Sequence, residues 1–294
     1  MTVDKTFSRG IRKRQVRTAV SDVLFYGFTL LLLLFFLFPY LYMLVGSFSY
    51  DEHTFNLPIT FFPKEWSVKG YERAFSPEMV GYLGNTIFVI VLNLIAVPLS
   101  SSLCAFGFAK LRFVGKNVIF AVMMATVMLP GTVLSIPLYL IYVNMGWIDT
   151  FYPLWFPNLF GGGAMNIFLL VQFMKGVPRD IENAARIDGA NDFIVYARII
   201  LPMCVPVLIY IMTGVFLGTW NDFSGSLLYL KSKEKYTLGI GLYYKFISQD
   251  YEANLLNFRM AVGLIMSLVP AIIYFCCQKQ LERSINLTGA ATKG

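Results

Sequence analysis

Long apolar runs broken by short polar stretches dominate the chain. A helix that crosses about 30 Å of hydrocarbon needs about 20 apolar residues. Six stretches qualify: residues 23–46, 83–109, 118–142, 151–174, 201–223 and 255–275. They predict an all-α integral membrane protein with six transmembrane helices. The first run is too long for a signal-peptide core and no A-x-A-like site follows it, so it reads as a retained anchor. Pro39, Pro98, Pro130, Pro137 and Pro206 lie in or near the runs. Membrane helices tolerate proline where neighbours satisfy the freed carbonyls.

Charge sets the predicted orientation. The N-terminal arm carries Lys5, Arg9, Arg12, Lys13, Arg14 and Arg17 against Asp4, which keeps it in the cytoplasm. Six crossings then return the C-terminus to the same side. Lys110, Arg112 and Lys116 fall in an inside loop, and Asp51, Glu52, Glu65, Glu72 and Glu78 near an outside one. Lys231, Lys233, Lys235 and Lys245 in the outer loop at 230–254 run against the rule. Composition agrees with a membrane protein. Of 294 residues, 57% are hydrophobic and 14% charged, with mean hydropathy +0.63. Soluble domains have about 45–50% and about 25%. The net charge of +7 is spread between apolar runs, which argues against a nucleic-acid surface. Cys104, Cys204, Cys276 and Cys277 show no CxxC spacing and read as small membrane-buried side chains rather than a disulfide framework or a metal site.

The segment 175–200 is polar, predicted to be cytoplasmic, and too long for a turn. Ile181, Ala184, Ala185 and Asp188 recur at helical spacing, Gly189 interrupts, and Phe193, Tyr196 and Ile200 resume it. This predicts two short helices joined at a glycine outside the membrane. The pattern leaves two uses open, a surface for a cytoplasmic partner or an amphipathic helix resting on lipid.

Enzyme chemistry has little support. The only histidine, His53, sits in a loop beside acids. H-E-x-x-H and G-x-S-x-G are absent, and Gly107 to Gly115-Lys116-Asn117 lacks phosphate-loop spacing. Work on ATP would need another subunit. The first four runs carry no charge away from their ends, and Asp222 and Arg259 fall near outer ends. That suits a path for a neutral polar solute rather than a proton relay. Thr86, Asn93, Ser100 and Gly107 recur every seven residues, so they form one stripe. The stripe serves either a path wall or helix packing. Gln172 has the same two readings. Trp155 and Trp220 could stack on a sugar ring or anchor the span ends at the interface.

The run Pro178-Arg179-Asp180-Ile181-Glu182-Asn183-Ala184-Ala185-Arg186-Ile187-Asp188-Gly189-Ala190, continued by Ile199-Ile200-Leu201-Pro202, resembles the EAA loop of bacterial ABC-importer permeases. Ala184, Ala185, Gly189, Ile199, Leu201 and Pro202 fall at the family spacing. Asp188-Gly189-Ala190 and Trp220-Asn221-Asp222-Phe223 resemble the carbohydrate branch. The tail Ala290-Ala291-Thr292-Lys293-Gly294 is similar to the ending of permeases like the smaller maltose-importer permease. One position departs: Asn183 stands where the family has glutamate. Glu182 precedes it and projects about 100° away around a helix.

The resemblance implies a type I ABC importer permease in a bacterial plasma (inner) membrane. Its parts would be a basic arm at 1–22, a permease domain at 23–279 and a cytoplasmic tail at 280–294. A coupling segment at 179–200, between spans four and five, would seat Glu182, Asn183, Ala184, Ala185, Asp188 and Gly189 against an ATPase. A second, unlike permease would complete a heterodimer. Two ATPase subunits would hold ATP and Mg, the chain itself holding no cofactor, and an extracytoplasmic binding protein would deliver the solute. Asn93, Ser100, Gln172, Trp220 and Asn221 are the candidate path residues. The outer loop at 230–254 resembles one that reaches into the binding protein, where Tyr236, Tyr243, Tyr244, Phe246 and Tyr251 would compete for sugar-stacking surfaces. The alternative is a loop that folds back on the bundle and buries these aromatics. The tail near Lys293-Gly294 would insert between the ATPases. A sugar or oligosaccharide is the implied cargo. The alternatives are a polyol or glycerol-phosphate, or a non-transporting scaffold.

Overall fold

The computed structural model describes residues 3–50, 61–248 and 256–291, with side chains described over 20–50, 61–245 and 256–280. His53, Tyr251 and Lys293-Gly294 lie outside the described residues, as do the side chains of the basic arm and of Phe246. The chain divides into two units, Met1–Ala74 with Glu252–Ser267, and Phe75–Tyr251 with Leu268–Gly294. No strand occurs among the described residues beyond one isolated bridge, Ser49 to Trp66.

The first unit contains α1 (Val3–Ser47) and α2 (Lys69–Ala74). The apolar stretch of α1, Val20–Ser47, has mean hydropathy 2.4 and leaves its large side chains exposed, as a lipid-facing helix does. Small residues allow close packing where the chain returns. A Cβ on Gly46 would collide with Met260 Sδ, and one on Gly263 would lie 2.6 Å from Met43 Cε. Buried Asn257 donates from Nδ2 to Ser49 O at 3.0 Å.

The second unit is built on α3 (Pro77–Lys110). Then come α4 (Lys116–Ala125), extended by a 3₁₀ turn at Thr126–Met128, and α5 (Gly131–Asn144). A short α6 (Tyr152–Trp155) with a 3₁₀ turn Phe156–Leu159 leads to α7 (Ala164–Lys175). Next are α8 (Arg179–Ile187), α9 (Asp192–Val195), a π turn at Tyr196–Ile200, α10 (Leu201–Met203) and α11 (Val205–Trp220). The unit goes on through α12 (Ser224–Tyr229) and α13 (Leu238–Ser248). The final helix, α14 (Leu256–Ala291), begins among the residues of the first unit. Val97, Phe106, Leu170, Met174, Ile200 and Ile211 form the core where α3, α7, the π turn and α11 pack.

The six predicted spans are not six straight helices. Val20–Ser47, Pro77–Lys110, Tyr152–Lys175 and Leu256–Gln280 are long and apolar enough to cross a membrane. The predicted third and fifth spans are bent pairs. Lys116–Met128 and Gly131–Asn144 meet at 102°. The break is at Leu129, which is extended at φ −79°, ψ 119°, because the ring of the following Pro130 disfavours helical backbone there. Asp192–Met203 and Val205–Trp220 meet at 75°. Pro206 lacks the N–H that would bond the carbonyl of Pro202, and its ring crowds that carbonyl.

The fourth span is also interrupted. Gly161, Gly162 and Gly163 have φ of +111°, +62° and +97°, a region that glycine enters freely. A Cβ on Gly162 would lie 2.7 Å from Val97 O and 2.9 Å from Ser100 Oγ. Gly162→Ala should therefore lose about 2 kcal/mol or more of stability, read as a lower melting temperature in detergent. Gly218→Ala, where a Cβ meets nothing within 4 Å, should not melt lower than the parent. Equal melting of the two variants would contradict the close approach of backbone at Gly162.

Candidate functional sites: an anchored elbow and a polar cavity

Segment 179–200 folds as the helical elbow predicted from its spacing. Asp180 and Glu182 sit in the first turn of α8, where negative charge favours the helix dipole. Gly189, at φ +85°, turns the chain. Its amide bonds Arg186 O at 3.1 Å, and the Ala190 amide bonds Ala185 O at 2.9 Å. Asn191 caps α9 by accepting the Ile194 amide at 2.9 Å. An exposed ion pair, Arg186 to Asp192 at 2.8 Å, spans the bend; such pairs add little stability.

The inner face of the elbow is fixed to α3. Glu182 is 3% exposed and pairs with Lys110, the last residue of α3. Lys110 also donates to Val177 O at 2.9 Å. The hydroxyls of Ser102 and Tyr196 meet at 2.8 Å, and Phe106 meets the Tyr196 ring edge-on at 5.4 Å. The opposite face is open. Asn183, Ala184, Asp188 and Gly189 are exposed, and Ala185 is half-buried. Ile187 is 86% and Phe193 69% exposed. Glu182 and Asn183 thus point to different surroundings. Lys110 reads in the sequence only as topological charge, because its partner is far along the chain.

The polar stripe of α3 faces the irregular fourth span. Asn93 Nδ2 donates to Leu154 O at 3.0 Å, and Asn158 Nδ2 donates to Asn93 Oδ1 at 2.7 Å. Ser100 Oγ bonds Asn158 O at 2.7 Å. Thr86 Oγ1 donates to Tyr82 O at 2.9 Å and accepts the Leu238 amide at 2.8 Å. Beside these groups is a cavity of 190 Å³, lined among others by Asn93, Asn158, Gly218, Thr219, Asp222 and Thr237.

Of the candidate path residues, Asn93 lines this cavity and Ser100 does not. Gln172 is exposed, away from the α7 face of Ile167, Leu170, Val171 and Met174 that enters the core. Trp220 is buried and stacks on Phe216 at 5.8 Å. Asn221 is exposed and donates to Leu217 O at 2.9 Å. Trp155 lines a separate groove with Phe88, Phe151 and Tyr152. Asn158, Thr237 and Asp222 were not singled out as path residues by the sequence, because a cavity between distant segments has no local spacing.

The described part of the outer loop folds back on α3. Asn85 Nδ2 donates to Glu234 O and Tyr236 O at 2.8 and 2.9 Å. Lys233 and Lys245 reach Glu78 at 2.6 and 3.4 Å. Asp149 accepts the Lys231 and Ser232 amides at 2.9 and 2.8 Å, and Lys235 at 3.2 Å. Burial alone would raise the Asp149 pKa. The Ser232 hydroxyl and amide, the Lys231 amide and Lys235 outweigh burial and hold the carboxyl well below the usual range. Three of the four lysines that run against the charge rule, Lys233, Lys235 and Lys245, therefore neutralise acids, and Lys231 contributes its amide. Tyr236 stacks on Tyr244 at 5.1 Å, and Tyr243 and Tyr244 keep exposed faces.

Residues 96–287 match a family described as binding-protein-dependent transport system inner membrane component. The chain is 28% identical over 281 residues to the inner membrane ABC transporter permease protein YcjP of Escherichia coli, covering 95% of this chain and 99% of that protein. It is 27% identical over 250 residues to the diacetylchitobiose uptake system permease protein NgcG of Streptomyces coelicolor, covering 84% and 82%. Its fold matches a chain in the crystal structure of a bacterial ABC transporter involved in the import of the acidic polysaccharide alginate. The TM-score is 0.76 over 92% of this chain and 98% of that one, at 22% identity.

Glu182→Gln leaves the buried Lys110 ammonium without its counter-charge. It should cost about 3–5 kcal/mol, measured by thermal unfolding in detergent. Lys110→Met combined with Glu182→Leu should recover most of that loss, because it removes both charges. A Glu182→Gln protein as stable as the parent would contradict the buried pair.

Proposed function

We infer the chain's task from its family: it belongs to the binding-protein-dependent transport system inner membrane components, and we propose that it is one half of an ATP-driven permease for a sugar or oligosaccharide. A second, unlike permease subunit supplies the other half of the path. Two ATPase subunits carry ATP and Mg²⁺, and a binding protein delivers solute from outside. Both termini and the elbow lie in the cytoplasm. The saccharide reading is supported by the names of the relatives, diacetylchitobiose for one and alginate for the structural neighbour.

The observation that carries this reading is the elbow. One face is fixed to α3 through Glu182 and Tyr196, and the other offers Asn183, Ala184, Ile187 and Phe193 to a partner. A surface open on one side and bound on the other transmits displacement as a lever. Closure of the ATPase pair would move the elbow and α3 together, switching the path between inward- and outward-facing forms by rigid-body motion. Moving such a gate from 1:99 to 99:1 takes about 5.5 kcal/mol of differential binding. Asn183 keeps hydrogen bonding to the ATPase without the charge of the family glutamate.

The test is a mild-detergent pull-down from native membranes with mass spectrometry. The parent chain should bring down a nucleotide-binding ATPase, a second multi-span permease and a saccharide-type binding protein. Gly189→Pro should remain in the membrane and lose the ATPase. Proline cannot adopt φ +85° and has no amide for Arg186 O. Recovery of the parent chain alone, under conditions that preserve other membrane complexes, would contradict the proposal and favour an elbow resting on lipid.

A further inference from the structure

We propose that the 190 Å³ cavity beside α3 is a solute-contact subsite in this subunit, built for one neutral sugar residue rather than an acidic one. The inference rests on the importer reading above and narrows its substrate class.

Much of the hydrogen-bonding capacity around the cavity is already taken. The Thr86 hydroxyl is used twice, by Tyr82 O and the Leu238 amide. Asn93 is used at both ends of its amide, and Asn158 gives its N–H to Asn93. Capacity remains on Thr237 and Asp222. Thr237 is 6% exposed, and its buried Oγ1 has no hydrogen-bond partner. Asp222 accepts the Gly225 amide with Oδ1 at 3.0 Å, while the Ser226 hydroxyl is 3.5 Å from Oδ2, at the weak limit of such a bond. An orphaned buried hydroxyl costs stability unless something fills the role.

An ionised carboxylate only accepts, and a hydroxyl both donates and accepts. A ligand must therefore donate to Asp222 and pair with Thr237 in either sense. Sugar hydroxyls do both. An acidic sugar has such hydroxyls too, but its carboxylate or phosphate cannot donate to Asp222 and would be repelled by it. Among the described residues no Lys, Arg or His lines the cavity to offset that repulsion. At about 30 Å³ per water the cavity holds about six waters, room for one sugar ring within it. The fold shared with an alginate importer does not carry that importer's acidic cargo into this site.

Gly218 lines the cavity, and a Cβ there meets nothing within 4 Å. Gly218→Cys therefore brings a thiol to the cavity wall with room for its Cβ, and Thr219→Cys is a second lining position. The assembled complex in membrane vesicles is treated with cationic or anionic methanethiosulfonates of similar size. Labelling is read on the peptide itself by mass spectrometry, so the native cysteines remain. The cationic reagent should react about tenfold faster, and Asp222→Asn should abolish the difference. A digest of neutral glucan and galactan oligosaccharides should slow labelling, and oligogalacturonate should not.

Equal rates for the two reagents at both positions, or protection by oligogalacturonate, would overturn the subsite. Co-purification of the ATPase with the same complex is scored separately. Its presence beside equal labelling rates sinks the subsite and leaves the importer standing, whereas its absence sinks the importer reading on which the subsite rests.

Discussion

A backbone carbonyl freed inside a bilayer has no water to turn to, so the protein must supply its donor. The second unit depends on that constraint. Its fourth span breaks at Gly161-Gly162-Gly163 and passes through a 3₁₀ turn. The polar stripe of α3 meets the break: Asn93 bonds Leu154 O, and Ser100 bonds Asn158 O. The broken span in turn leaves a polar cavity beside α3. A continuous apolar helix in this place would leave neither the carbonyls nor the cavity.

The same helix serves both ends of the unit. Lys110, Phe106 and Ser102 fix the elbow at one end. Glu78, Asn85 and Thr86 hold the 233–238 segment at the other. Between them, Asn93 lines the cavity. Closely packed elements transmit displacement because they have few voids to absorb it. In the proposed lever, motion of the elbow would reach the cavity through α3 with no further device. The buried Lys110–Glu182 pair makes that connection specific, since losing either partner strands the other charge.

Much of this was legible in the sequence. The apolar runs marked all six spans or bent pairs, since length and hydropathy are properties of a continuous segment. The elbow was legible from the three- and four-residue spacing around Gly189, a residue whose φ is indeed positive. The bends were not. Pro39, Pro98 and Pro137 stay inside helices while Pro130 breaks one, so the residue type alone does not mark the bends. The sequence left the α3 stripe open between packing and path. In the structure Ser100 packs, and Asn93 both packs and lines the cavity. Gln172 belongs to a 12-residue helix whose buried positions are 167, 170, 171 and 174, so the same periodicity turns it outward. Glu182 showed only its helical phase. Its inward role is set by Lys110 on another helix, and such pairings over long separations leave no local mark.

The central claim is that the elbow's open face meets an ATPase. A photo-crosslinking amino acid at Ile187, the most exposed apolar position of α8, tests it in native membranes without purification. The account predicts an adduct whose partner peptides come from a nucleotide-binding ATPase. An adduct with lipid alone would place the elbow on the membrane surface and contradict the account.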